Sequence, residues 1–108
     1  MKTGGYRGKS TGSARSHVLS LSQAETISLQ ALGFLSRDPE RIERFFALTG
    51  IAPGDVRGLA REPGFQLAIL DHLAADEPLL LVFVGEERLA PEDVNAARYA
   101  LGGGDRGD

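Results

Sequence analysis

Cysteine is absent from the 108 residues, which excludes disulfides and thiolate metal sites. Histidine is nearly absent too. His17 and His72 are the only two, far apart and with no ligand spacing around them. No acid occurs in residues 1–20, and no lysine occurs beyond them. Long hydrophobic runs are also missing. The longest is residues 79–84, too short to span a bilayer. No leader-like apolar stretch follows Met1, so the expectation is a cytoplasmic protein with no membrane association. No serine sits in a nucleophile elbow, and no glycine-rich loop follows a strand to hold phosphate. The carboxylates are scattered over polar positions near arginines. No catalytic, cofactor-binding or metal-ligating residue is therefore assigned, no cofactor is expected, and the chain reads as a non-enzyme.

What is present is organised by a repeat. Shifted by 38 positions, residues 24–61 lie over 62–99. Asp38 falls on Asp76, Phe45 on Phe83, Ala52-Pro53 on Ala90-Pro91, and Asp55-Val56 on Asp93-Val94. Ile27, Leu29, Leu32 and Leu35 fall on Phe65, Leu67, Leu70 and Leu73. An internal period constrains the architecture before any local reading. Two copies are too few for a solenoid. The expectation is an all-α fold, a compact bundle of about six short helices built from two three-helix units. An open pair of units that completes its core by dimerising is the alternative, so monomer and homodimer both stay open.

Ser20 or Ser22 can cap the first helix, with Glu25 completing a capping box to Ser22. Ala24, Ile27, Ala31 and Leu35 recur at helical spacing. Asp38-Pro39 closes that helix and opens the second, whose inward residues are Ile42, Phe45, Phe46 and Ala47. Gly50 stops it. Pro53 opens a short third helix with Val56, Leu59 and Ala60 inward. The fourth runs from about Phe65 to Ala75, with Phe65, Ile69, Leu70 and Leu73 inward. Asp76 caps the fifth, where Leu80, Leu81, Phe83 and Val84 pack. Pro91 opens the sixth, with Val94, Ala97 and Leu101 inward. Residues 78–84 alone would also suit a buried strand. Their counterparts, 40–46, carry Arg41, Glu43 and Arg44 at positions that suit only a helix, and a lone strand would leave its backbone unpaired. The fifth helix, apolar nearly all round, is expected at the centre.

Charge is unevenly placed. Residues 1–20 carry Lys2, Arg7, Lys9 and Arg15, a charge of +4, and subtracting this from the net −3 leaves −7 on residues 21–108. The basic stretch is rich in Gly and Ser and poor in apolar residues, so composition predicts disorder over 1–20. Residues 21–102 then form the single helical domain, and 103–108 a frayed end.

Two surfaces are candidates for function. Phe34, Phe46, Leu48 and Leu79 fall at the edges of their helical stripes, and together they would make an apolar patch for a protein partner. Lys2, Arg7, Lys9 and Arg15, with Arg57 and Arg61 in a helix-turn-helix-like corner at Gly50, would make weak nucleic-acid contacts. The repeated Ala-Pro-x-Asp-Val reads as helix-start grammar. The leading expectation is an interaction or adaptor module with an unknown protein partner, and a weak nucleic-acid-associated protein is the alternative.

Three runs carry a resemblance: LQALGFLSRDPERIERFFALTGIAPGDVRGLA, PGFQLAILDHLAADEPLLLVF and LAPEDVNAARYAL. Over about Gln23 to Leu101 they resemble an alphaproteobacterial family named domain of unknown function 3572. The resemblance implies an all-helical, bacterial cytoplasmic protein. It brings no activity, ligand or catalytic residue, and it does not reach the basic stretch.

Overall fold

A computed structural model describes residues 18–102. Among them are six α-helices and no strand: α1 (Leu21–Ser36), α2 (Pro39–Thr49), α3 (Val56–Leu59, entered through a 3-10 turn at Pro53–Asp55), α4 (Pro63–Ala74), α5 (Glu77–Glu87) and α6 (Pro91–Ala100). Residues 78–84 lie in α5, so the helical choice over the strand holds. Of the disorder expected for 1–20, residues 1–17 fall outside the described residues, as does the fraying expected for 103–108, whereas Ser20 is ordered as the N-cap of α1.

Each helix boundary has a chemical cause. Ser20 caps α1: its hydroxyl accepts from the Gln23 amide at 3.0 Å, and its own amide donates to Gln23 Oε1 at 2.8 Å. The capping box is thus Ser20 with Gln23 rather than Ser22 with Glu25. The helix starts at Leu21, which leaves Ser22 inside the first turn, where its carbonyl accepts from the Thr26 hydroxyl. Asp38 caps α2 by accepting from the amides of Glu40 and Arg41, and Asp76 caps α5 by accepting from Leu79. Proline opens α2, the 3-10 turn, α4 and α6, where its fixed φ fits and no amide hydrogen is needed. At α4 this draws the start back to Pro63, two residues before the expected Phe65. Helix α2 ends on Gly50 at φ 77°, and α5 ends on Arg88 at φ 59°. Residues 38 apart therefore share N-caps (38, 76), left-handed stops (50, 88) and opening prolines (53, 91). The third helices differ: α3 has 4 residues and α6 has 10.

Helices α1, α4 and α6 pack on one another as an inner triad. Helix α2 lies against α1 and α4, and α5 lies against α4, α1 and α6. The core joins Ala24, Ile27, Ala31, Phe34 and Leu35 of α1 with Phe45, Phe65, Ile69, Leu70, Leu73, Phe83, Val94 and Ala97. Phe34 meets Phe83 with ring centroids 5.3 Å apart, and Phe45 meets Phe65 edge-on at 6.1 Å. These aromatic contacts join α1 to α5 and α2 to α4.

The centre is α4, not α5. Helix α4 buries Phe65, Gln66, Leu67, Ile69, Leu70 and Leu73, whereas α5 buries only Phe83 and Val84. Leu81, expected inward, is 51 % exposed, and Val82 is 40 % exposed. Ala47 is likewise exposed. The reason is neighbour geometry. Helix α4 is flanked by α1, α2, α5 and α6, while among the described residues no helix packs on the outer side of α5. Apolar composition makes burial favourable, but burial also needs an element on that side.

Candidate functional site

Of the four residues expected to form an apolar patch, the structure exposes one. Leu48, in the last turn of α2, is 64 % exposed. Phe34 is 1 % exposed and belongs to the core. It lies one turn from Ala31 on the same stripe, its ring packs on Phe83, and the Arg41 guanidinium covers it at 4.7 Å. Phe46 and Leu79 are half-buried and pack against the core. The patch named from sequence is therefore not one surface.

A different apolar surface exists, centred on α5. Pro78, Leu81, Val82 and Gly85 are all exposed and recur at three- and four-residue spacing, so they share one face of the helix. Apart from the backbone of α5 itself, no atom of the described residues lies within 4 Å of where a Cβ on Gly85 would stand. Leu48 adjoins this face: with Pro78 and Glu77 it lines an open hollow of about 340 Å³. The sequence contained the signal. Residues 78–85 are apolar on every side, and a helix with neighbours on one side only must leave half of such a surface uncovered. What sequence lacked was the position of the helix.

A second, polar hollow of about 370 Å³ lies between α2, α4 and α5, lined by Asp38, Arg41, Arg44, His72, Asp76 and Leu79. His72 is half-buried and stands edge-on to Phe45 with centroids 5.2 Å apart. Its Nε2 is buried and has no hydrogen-bond partner among the described residues. Burial lowers its pKa below the ordinary 6.5, the Asp76 carboxylate works against that shift, and Arg44 adds to it. Asp71 is not its partner, because that carboxylate accepts from Arg98 Nε at 2.7 Å. Asp38 and Asp76 are engaged in capping. The lining thus consists of cap carboxylates, arginines and a structural imidazole. Among the described residues no cluster of three or more His, Asp or Glu side chains is placed to hold a metal ion.

The candidate nucleic-acid residues divide. Lys2, Arg7, Lys9 and Arg15 lie outside the described residues. Arg57 and Arg61 are exposed, on and just after α3. That helix is one turn long, too short to lie along a major groove as a recognition helix does. Arg61 shares a hollow of about 490 Å³ with Glu25, Leu29, Ala60 and Gln66. Gln66 is buried: its Nε2 donates to the Ala60 carbonyl at 3.1 Å, and its Oε1 has no partner among the described residues. The amide closes the α3–α4 corner. No described helix is long and apolar enough to cross a membrane.

In comparison with known proteins, the model of one family, described as protein of unknown function (DUF3572), matches residues 21–104. No curated protein and no solved structure matches the chain. The match opens at Leu21, the first residue of α1, and takes in every described helix.

Proposed function

The chain belongs to the DUF3572 family, and for this member we propose a non-enzymatic role as a helical interaction module that presents the outer face of α5, extended by Leu48, to a protein partner. One observation carries the reading: Leu81 and Val82 stand at 51 % and 40 % exposure in mid-helix, on an element whose other side is anchored by the fully buried Phe83. A surface helix ordinarily turns polar residues outward. This one turns apolar residues outward on a capped helix, and that arrangement gains free energy when a partner covers it. The setting is bacterial and cytoplasmic on this reading.

The test is recovery from bacterial lysate by the full chain and by a Leu48→Asp/Leu81→Asp variant of equal helicity. A protein retained by the first and lost by the second supports the reading. Identical recovery by both overturns it.

The charge division favours a second reading, weak nucleic-acid association through Lys2, Arg7, Lys9 and Arg15, with Arg57 and Arg61 as secondary contacts. Binding of this kind weakens steeply with added salt and is lost when residues 1–20 are removed. Binding by residues 21–108 alone would overturn it.

A further inference from the structure

We infer that the occupant of the α5 face is a second copy of this chain, docked antiparallel, α5 on α5, across a twofold axis. The inference rests on the reading of that face as an interface and specifies its partner.

The argument is one of self-complementarity. A twofold interface requires that each residue meet a suitable residue of the same stripe. On α5, the point midway between Glu77 and Arg88 falls between residues 82 and 83, and the point midway between Pro78 and Gly85 falls between 81 and 82. Both pairs thus centre on nearly the same place. Glu77 and Leu81 lie on one flank of the face, a step of four residues apart, and Arg88 is the left-handed residue that ends the helix at the opposite end from Glu77. In an antiparallel twofold pair, opposite ends of the two helices meet. Arg88 then stands beside the partner's Glu77, and Glu77 beside the partner's Arg88. The two Leu81 side chains meet near the axis. Each Pro78 ring lies over the partner's Gly85, where no side chain obstructs the approach.

The charges also select the direction. In a parallel pair Glu77 and the partner's Arg88 would stand about 16 Å apart along the helix axis, so neither would meet an opposite charge. Among the described residues neither side chain makes an ion pair within its own chain, so both are available. Glu86, on the opposite flank, is already paired with Arg37 at 3.5 Å. It brings no carboxylate to the flank that Arg88 must reach. Leu48 beside Pro78 widens the patch beyond a single helix. The face is nevertheless small against the roughly 800 Å² per partner of a standard interface, so the dimer is reversible.

The experiment is sedimentation velocity on the full chain from low micromolar to millimolar concentration, with circular dichroism as a check on fold. The wild type is expected to pass from monomer to dimer. Leu81→Asp is expected to remain monomeric. Glu77→Arg and Arg88→Glu are each expected to weaken the dimer by about tenfold or more, because each sets like charges together twice. The two combined in one chain are expected to restore it. A monomer at every concentration overturns the inference, as does a dimer indifferent to these variants. Failure of the double variant to recover overturns the antiparallel register. A monomeric wild type that still loses a captured protein through Leu48→Asp/Leu81→Asp overturns the self-association alone and leaves the interaction-module reading standing.

Discussion

At the scale of single residues, two positions with the same backbone conformation make opposite predictions. Gly50 and Arg88 both end a helix in the left-handed region, at φ 77° and 59°. Glycine adopts that conformation without strain, whereas a side chain there costs about 1–2 kcal/mol. Gly50→Ala should therefore destabilise the fold by about 1 kcal/mol, and Arg88→Gly should stabilise it by up to about 1 kcal/mol, both read from denaturant midpoints. Arg88→Gly also removes a charge from the proposed interface, so it should raise monomer stability while weakening association. His72 makes a pH prediction. Burial lowers its pKa in the folded chain below the ordinary 6.5. On acidification the unfolded chain therefore takes up that proton first. Stability falls as pH drops through about 6.5 and levels off only below the folded value. Urea midpoints at about pH 7.5 and about pH 5.5 should differ more for the wild type than for His72→Gln. Equal losses would show that other groups govern the acid limb. That His72 has no ligand spacing around it was legible in sequence. Its contact with Phe45 was not, because the two lie on different helices.

At the scale of elements, α5 shows what composition does and does not fix. That it is a helix follows from Asp76 as N-cap and from the arginines and glutamates at the matching positions of α2. Its place at the edge follows from neither. The orientation can be checked by two substitutions on one helix. Phe83→Ala should cost about 3–5 kcal/mol, since it removes a fully buried ring that packs on Phe34. Leu81→Gln should stay within about 0.5 kcal/mol of wild type in the monomer, as surface substitutions do. Comparable losses at both positions would mean that the outer face is covered. Helix α4 reads in the opposite way. Its apolar content is similar to that of α5, yet it buries six of its side chains, Gln66 among them, because four helices flank it. Of the candidate patch residues, Leu48 was legible because it falls at the edge of the α2 stripe. Phe34 was misjudged because helical stripes are broad, and α5 closes over that edge of α1.

At the scale of the whole molecule, a small polar cluster ties the ends of α1 and α5. Arg37 bonds Glu87 at 3.1 Å and approaches Glu86 at 3.5 Å, while Gln30 Nε2 reaches Glu87 Oε1 at 3.3 Å. Arg37 and Glu86 are at least half exposed, and only Glu87 is mostly covered, so Arg37→Ala should cost about 1 kcal/mol or less, with the difference shrinking in high salt. Faster amide exchange in α5 than in α4 is the accompanying expectation, since α5 has core contacts on one side only. A cost of several kcal/mol would mark the cluster as a structural clasp. The amino-acid sequence by itself determined the helical class, the number of helices and most of their ends. These depend on short-range physics: proline at first positions, aspartate and serine at caps, glycine at a stop, and apolar residues at helical spacing. It also determined the absence of thiolate chemistry and the separation of charge between residues 1–20 and the remainder. The tertiary structure alone decided that α4 is the centre, that Phe34 is core, and that Leu81 and Val82 face outward beside Leu48. Those outcomes depend on which helices stand next to which, and a residue's own neighbours in sequence do not specify what packs against its far side.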